Sequence, residues 1–219
     1  MSENWPEAYK KGAQNFYGRD FLVSPSVLIP RPETEMMVDE VLVLAGKAYL
    51  PGMKTPERKL PDSPVILDVG TGSSCVATTL KLEIPEAKVI GLDVSEEALD
   101  VARKNAEKLG AKVEFMQSNL LSGYHGEDPD VIVANLPYVD KDWDWLDKEA
   151  LAAEPSLALY AGNHGLELIF KLIEQAKGRC KWLIIEADPC QHEQIIKYAF
   201  DFGFSHEKTS GFQLVFRKG

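Results

Sequence analysis

The chain has 219 residues, a formal net charge of −10, 45% hydrophobic residues and 26% charged residues. These values are those of a globular domain with its own core, and the acidic balance argues against broad binding to a phosphate backbone. The three cysteines form no CxxC pair and the four histidines are scattered, so neither a disulfide framework nor a metal site is expected. With no signal-peptide pattern and no long apolar run, we expect a cytoplasmic protein without a membrane segment.

The amino-terminal part, residues 1–32, is predicted to be a short segment of its own. Residues 5–12 permit a short helix, and residues 16–23 predict a β-hairpin around Gly18. Recurring prolines then predict extended chain up to residue 32. The main domain is predicted to span residues 33–219.

From residue 65 onward, predicted strands alternate with predicted helices, which is typical of a parallel sheet covered on both faces. The predicted fold class is therefore α/β, with a Rossmann-like, mostly parallel sheet of seven strands, helices on both faces and a carboxyl-terminal antiparallel hairpin. Prolines and mixed charges predict a flexible surface loop at 50–64, and an acidic loop with some helix is expected at 140–153. The predicted strands are 65–68, 88–93, 112–116, 130–134, 182–186, 206–208 and 212–217, and the predicted helices are 33–49, 74–83, 95–109, 166–176 and 191–202.

Acidic and glycine residues follow the first predicted strands. Asp68 begins a glycine turn in which the backbone can approach a ligand closely, and Asp93 ends the second strand, where a carboxylate can accept from ribose hydroxyls. Each of these residues alone would also suit an ordinary turn or the start of a helix. The GxGxxG pattern of dinucleotide-binding proteins is not met, because Cys75 stands at the position of its third glycine. The predicted cofactor-binding residues are Asp68, Gly70, Thr71, Gly72, Asp93, Val94, Asn119, Leu120 and Asn135. As an ordered set they resemble class I S-adenosylmethionine-dependent methyltransferases.

The turn Asn135-Leu136-Pro137-Tyr138 directly follows the fourth predicted strand, at the strand end where ligands of open α/β sheets bind. The Asn135 side chain supplies a carbonyl oxygen and Leu136 a backbone carbonyl, and two such acceptors can hold both hydrogens of an NH2 group. The turn therefore indicates methyl transfer to a planar nitrogen.

Two further stretches narrow this resemblance. Residues 16–21 (Phe-Tyr-Gly-Arg-Asp-Phe) and 27–35 (Val-Leu-Ile-Pro-Arg-Pro-Glu-Thr-Glu) closely resemble the HemK/PrmC family, which methylates the glutamine N5 of the Gly-Gly-Gln motif in peptide-chain release factors. The resemblance implies S-adenosyl-L-methionine as the cofactor, S-adenosyl-L-homocysteine as its product and a release factor as the partner. It implies catalytic roles for Asn135, Leu136, Pro137 and Tyr138, and substrate contacts from the same four residues together with Arg31, Pro32 and Glu33.

The chain departs from the family's pattern at several positions. Leu136 replaces the usual first proline of the turn, Asn119 stands where Asp is frequent, Ser74 takes a usual glycine position, and Ala187 follows Glu186 in place of glycine. The family's amino-terminal helical domain is also missing, so docking is expected to be weaker or to use another surface.

Two alternatives stay open at this point. A nucleic-acid methyltransferase acting on adenine N6 or cytosine N4 shares the catalytic turn, but it needs a basic groove and room for a flipped base. The other alternative is a binding protein that kept the cofactor-binding fold and lost its enzymatic activity. The sequence does not decide which release factor is the substrate, nor the oligomeric state.

Overall fold

The computed structural model of the chain describes residues 5–47, 54–144 and 151–219, which form alternating strands and helices. The helices are α1 Glu7–Lys11, α2 Glu35–Leu44, α3 Cys75–Glu83, α4 Glu96–Leu109, α5 Ser156–Leu159, α6 Glu167–Ala176 and α7 His192–Asp201. The strands are β1 Ala13–Phe16, β2 Arg19–Leu22, β3 Val65–Val69, β4 Lys88–Asp93, β5 Glu114–Gln117, β6 Val131–Ala134, β7 Trp182–Glu186, β8 Phe204–Ser210 and β9 Gln213–Lys218. Short 3-10 helices, Pro32–Thr34 and Pro189–Gln191, precede α2 and α7.

The main sheet has seven strands in the order β5-β4-β3-β6-β7-β9-β8. The first five of these pair in parallel, and β9 pairs antiparallel with both β7 and β8. The chain runs outward from β3 to β5 and then returns to place β6 on the other side of β3. This reversal of strand order leaves a crevice at the carboxyl ends of β3 and β6, which is where open α/β sheets bind ligands.

Alternating side chains of the sheet enter two separate cores. Leu67 of β3 packs in one cluster with residues of α6 and α7, such as Leu172. Its neighbour Ile66 packs in the other cluster with residues of α2 and α3, such as Val41 and Leu80. Helices therefore cover both faces, and the predicted α/β fold with its carboxyl-terminal hairpin is confirmed.

The amino-terminal segment is joined to this main fold. Strands β1 and β2 form the predicted hairpin, with the turn at Tyr17 and Gly18. Phe16 and Phe21 of the hairpin are fully buried in the same cluster as α2 and α3. The amino-terminal segment therefore shares a core with the domain that follows it. The boundary at residue 32 stays a prediction.

Several element bounds differ from the predictions. Helix α2 ends at Leu44, earlier than predicted, because Gly46 adopts φ +72° and the Leu44 carbonyl accepts the N–H groups of Lys59 and Leu60. Strand β5 begins two residues later than predicted, and the short helix α5 was not predicted. Residues 54–64 of the predicted loop have no regular secondary structure, and its mobility stays a prediction. Residues 48–53 and 145–150, which belong to the predicted 33–49 helix and the 50–64 and 140–153 loops, lie outside the described residues.

No helix in the described ranges is long and apolar enough to cross a bilayer. The same ranges contain no group of His, Cys, Asp and Glu side chains arranged to hold a metal ion. The cysteines are free thiols, with Cys75 and Cys180 buried and Cys190 exposed.

Candidate active site

The glycine turn between β3 and α3 packs closely against β4 and the loop after β6. The N–H groups of Gly70 and Thr71 donate to the Leu92 carbonyl at 2.8 and 2.9 Å, which fixes the turn to β4. Gly70 has φ +76°, and a Cβ at this position would lie 3.0 Å from Cδ2 of Leu136. The positive φ and this close approach to Leu136 together favour glycine where the turn meets the loop after β6.

Ser74 occupies the last position of this turn in an unusual conformation. Its φ of +63° is the left-handed conformation that favours glycine, which gives a physical reason for the glycine usual in the family. The Ser74 hydroxyl hydrogen-bonds to Oγ1 of Thr78 at 2.8 Å, so it is satisfied inside the buried turn. Ser74 therefore adopts the backbone conformation that glycine favours, and its hydroxyl has a partner.

Asp68, the next-to-last residue of β3, is a buried carboxylate beside the turn. Its Oδ2 accepts from the Thr71 hydroxyl at 2.7 Å and from the Ala77 N–H at 3.1 Å. No described residue donates a hydrogen bond to its Oδ1. Burial raises the pKa of Asp68 to about 6. A cationic ligand group at Oδ1 would stabilise the ionised carboxylate and restore a lower pKa.

Asp93 ends β4 and links the glycine turn to the start of α4. Its Oδ2 accepts from the Gly72 N–H at 2.9 Å, and its Oδ1 accepts from the Ser95 N–H at 2.9 Å. Each oxygen keeps one lone pair for a hydroxyl donor. Burial raises the pKa of Asp93 despite these hydrogen bonds.

A cleft of about 460 Å³ opens at the carboxyl ends of β3, β4 and β6. This volume lies in the usual range for small-molecule sites. Every predicted cofactor-binding residue lines it, namely Asp68, Gly70, Thr71, Gly72, Asp93, Val94, Asn119, Leu120 and Asn135. The remaining wall includes residues that the sequence did not assign, among them Ser26, Val27, Leu28, Pro30, Leu157 and Ala158.

The predicted catalytic turn separates this cleft from a smaller cavity of about 120 Å³. Asn135 and Leu136 line both spaces, Pro137 lines the larger one and Tyr138 the smaller one. Nδ2 of Asn135 donates to Oγ1 of Thr34 at 3.0 Å. None of the described residues donates to Oδ1 of Asn135 or to the Leu136 carbonyl. Two acceptors are therefore available where the two spaces meet.

Tyr138 is held at both its side chain and its backbone. Its hydroxyl donates to Oε1 of Glu186 at 3.3 Å, and its carbonyl accepts from Nε2 of Gln191 at 2.9 Å. The same Gln191 nitrogen donates to the His164 carbonyl at 2.9 Å. Burial and the nearby Glu186 raise the pKa of Tyr138, so its hydroxyl stays protonated.

Glu186 is a nearly fully buried carboxylate that lines the smaller cavity beside the predicted catalytic turn. Its Oε2 accepts from Nε2 of Gln213 at 2.9 Å, and the nearby Thr34 hydroxyl favours the ionised form of the carboxyl. Burial raises the pKa of Glu186 to about 7. Neither Glu186 nor Thr34 was assigned to the site from the sequence.

The segment before α2 contributes unevenly to the site. Arg31 lines both cavities, and its guanidinium pairs with the buried carboxylate of Glu154, which also accepts from the Ile29 N–H at 3.1 Å. Pro32 and Glu33 are exposed and line neither cavity. The structure therefore brings Arg31 to the candidate site, and it leaves the other two predicted substrate contacts outside.

Comparisons with known proteins point to a methyltransferase. The family profile described as "Methyltransferase small domain" matches residues 49–151. Among solved structures, a methyltransferase from Pyrococcus furiosus superposes with a TM-score of 0.64 at 21% identity, covering 93% of this chain and 90% of that one. The catalytic domain of hMettl16, solved with a hairpin of the MAT2A 3′UTR, superposes with a TM-score of 0.64 at 15% identity, covering 96% and 89%. At these identities the structural likeness shows the fold alone.

Sequence relatives are more specific. A release factor glutamine methyltransferase of Koribacter versatilis is 42% identical over 84% of this chain and 65% of its own length. The protein of the same description from Bacteroides thetaiotaomicron is 40% identical over 91% of this chain and 74% of its own length. The one from Enterococcus faecalis is 38% identical, and the chain covers 60% of it. The chain belongs to the release factor glutamine methyltransferase family, and it spans about two thirds of the length of these relatives.

Proposed function

We propose that this chain transfers a methyl group from S-adenosyl-L-methionine to the side-chain N5 of the glutamine in the Gly-Gly-Gln motif of a peptide-chain release factor. The observation that carries this proposal is the pair of unused acceptors, Oδ1 of Asn135 and the carbonyl of Leu136, between two adjoining cavities. Three relatives described as release factor glutamine methyltransferases support the choice of substrate. A cytoplasmic location is part of the same proposal.

The residues of the larger cleft fit S-adenosyl-L-methionine. The free Oδ1 of buried Asp68 suits the cationic amino group of the methionine part, and Asp93 keeps a lone pair on each oxygen for the ribose hydroxyls. Val94 and Leu120 offer apolar contact, and Asn119 is exposed at the rim where it can reach an adenine amino group. When bound, this cofactor supplies a methyl group on a sulfonium, which needs no acid to leave.

The catalytic turn would act on the acceptor nitrogen. An amide nitrogen is a poor nucleophile because its lone pair is shared with its carbonyl, so the main contribution is placement of that nitrogen toward the larger cleft. Oδ1 of Asn135 and the Leu136 carbonyl would accept its two N–H groups and stabilise the positive charge that develops on it. Pro137 would fix the turn, and Tyr138 would pack on the flat amide and exclude water. Proton loss would follow methyl transfer.

A nucleic-acid acceptor is the competing proposal, because adenine N6 and cytosine N4 are also planar NH2 groups that suit the same two acceptors. The net charge of −10 counts against it, since binding to a phosphate backbone needs clustered Lys and Arg. The relatives described above also favour the release factor. We therefore treat the nucleic acid as a second arm of the test.

The test is methyl transfer from labelled S-adenosyl-L-methionine to a purified release factor, beside the same factor with its Gly-Gly-Gln glutamine changed. The proposal predicts label on the first protein and not on the second, and none on duplex or single-stranded nucleic acid. Asn135→Ala should lower turnover by orders of magnitude while cofactor affinity stays within a few fold, because Asn135 is proposed to hold the acceptor nitrogen. Label on nucleic acid alone would refute the proposal.

A further inference from the structure

A line of buried side chains connects the candidate active site to the end of β7. Nδ2 of Asn135 donates to Oγ1 of Thr34 at 3.0 Å, and the Thr34 hydroxyl lies close enough to the Glu186 carboxylate to lower the pKa of that group. Thr34 is 3% exposed and Glu186 is 1% exposed, so both side chains are buried. Three separate parts of the chain meet here, namely the 3-10 helix before α2, the loop after β6 and the end of β7.

The chemistry of the Glu186 carboxylate and the Asn135 amide sets which group donates and which accepts in each of these hydrogen bonds. An ionised carboxylate can only accept, so the Thr34 hydroxyl must donate its single hydrogen to Glu186. The Thr34 oxygen is then left as an acceptor, and only the NH2 end of the Asn135 amide can donate to it. The carbonyl end of Asn135 must therefore face the cavities.

The other contacts of Glu186 hold it in the accepting role. The Tyr138 hydroxyl donates to Oε1, and Nε2 of Gln213 donates to Oε2 while also donating to the Glu33 carbonyl at 3.0 Å. Gln213 is fully buried, so its orientation is set by these two acceptors. The carboxylate therefore has a donor on each oxygen in addition to Thr34.

We propose that Glu186 and Thr34 are positioning residues that set the orientation of the Asn135 side-chain amide, so that its oxygen and not its NH2 group meets the acceptor nitrogen. This inference rests on the proposed function for its consequence in catalysis. With the amide reversed, Asn135 would present N–H donors to the N–H groups of the substrate, and one of the two proposed hydrogen bonds would be replaced by repulsion. Thr34 lines the larger cleft and Glu186 the smaller cavity, and in this scheme both act on the reaction through the orientation of Asn135.

The decisive variant is Thr34→Val, which removes the hydroxyl and keeps the branched shape. The matched control is Thr79→Val, because Thr79 also has a buried hydroxyl, but that hydroxyl has no hydrogen-bond partner. Thr34→Ser keeps the hydroxyl and serves as the rescue variant, and Glu186→Gln tests the other end of the line, because a glutamine NH2 group could donate to Thr34 and reverse its role. All four should be compared with the full chain at pH 8, where the Glu186 carboxylate is ionised.

Two readouts are needed. The first is the nitrogen-15 NMR signal of the Asn135 side-chain NH2 in the free protein, assigned by its loss in Asn135→Ala. The second is kcat for methyl transfer, with KM for S-adenosyl-L-methionine measured beside it. Thr34→Val and Glu186→Gln should shift or broaden the NH2 signal. They should also lower kcat about tenfold or more, because one hydrogen bond to the acceptor nitrogen is lost. The KM for S-adenosyl-L-methionine should not rise. Thr34→Ser should stay within a few fold of the original protein, and Thr79→Val should leave both readouts unchanged.

The outcomes separate this inference from the proposed function. An unchanged NH2 signal in Thr34→Val would overturn the inference, as would an equal loss of kcat in Thr34→Val and Thr79→Val. If the unaltered chain transferred no methyl group to a release factor, the proposed function would fail, while the NMR comparison would still decide the orientation of Asn135.

Discussion

Gly165 is the position where the smallest substitution should have the largest effect. It has φ +81°, and a Cβ added there would lie 1.9 Å from the Tyr138 carbonyl oxygen and 2.6 Å from Nε2 of Gln191. Ordinary contact begins near 3.4 Å, so Gly165→Ala requires a separation of the two backbones by about 1.5 Å. The carbonyl that must move is the one that Gln191 holds at 2.9 Å.

The magnitude has two parts. Alanine in the left-handed conformation costs roughly 1–2 kcal/mol, and loss of the buried hydrogen bond to Tyr138 costs roughly another 1–3 kcal/mol. We therefore expect Gly165→Ala to lower the free energy of unfolding by about 3 kcal/mol, which for a chain of this size lowers Tm by about 6–12 °C. A shift of the catalytic turn by about 1 Å should also lower kcat about a hundredfold.

Gly203→Ala is the matched control. Gly203 has φ +85°, and a Cβ there would meet nothing within 4 Å, so it isolates the conformational cost from the clash. We expect that variant to lose only about 1 kcal/mol and to keep its methyl-transfer rate. Thermal unfolding of both variants and turnover under saturating cofactor make the comparison. Equal losses of stability in the two variants would refute the reasoning, because the clash with Tyr138 would then have no cost.

Three further predictions follow from buried polar groups. Thr79→Val should raise the free energy of unfolding by about 1 kcal/mol in urea titrations, because it removes a buried hydroxyl that has no partner; a loss of stability would contradict this. Burial raises the pKa of Glu186 from 4.5 to about 7, so the folded state binds this proton more tightly, and stability should fall as pH rises between those values. Glu186→Gln should therefore stabilise the fold by about 3 kcal/mol at pH 8 and by much less at pH 5, measured by urea unfolding, and an equal effect at both pH values would be inconsistent with this. The cationic group proposed to bind Asp68 needs the ionised carboxylate, so calorimetric affinity for S-adenosyl-L-methionine should fall about tenfold per pH unit below about 6, and Asp68→Asn should remove that dependence.

The sheet could be predicted from the sequence because its signals are local. Buried strands such as β3 and β7 are short apolar runs bounded by turns, and α4 carries both of its end signals. The Ser95 hydroxyl accepts from the Ala98 N–H, and Gly110 ends the helix at φ +71°, as their residue types predict. Such signals do not depend on distant contacts.

The cofactor side of the site was also predictable, because it is built from residues at strand ends. Asp68 lies in the last two residues of β3, Asp93 ends β4 and Asn135 directly follows β6, and the carboxyl ends of those strands meet at one edge. The supporting residues were not predictable in this way. Thr34 and Glu186 are far apart in the sequence, and only the packing of α2 near β7 and β9 brings them together.

The early end of α2 was missed for a similar reason. Its apolar spacing continues past Leu44, but the carbonyl of that residue is used by the incoming chain at Lys59 and Leu60. Local periodicity contains no information about this contact. The sequence motif alone also could not show that Pro32 and Glu33 are exposed.

The central claim is that a glutamine side-chain nitrogen is placed by the turn that begins at Asn135. The most direct test is tandem mass spectrometry of a release factor incubated with S-adenosyl-L-methionine and either the unaltered chain or Asn135→Ala. The account predicts one added methyl group on the side-chain amide nitrogen of the Gly-Gly-Gln glutamine with the unaltered chain, and almost none with the variant. A methyl group on any other residue, or equal modification by both proteins, would contradict it.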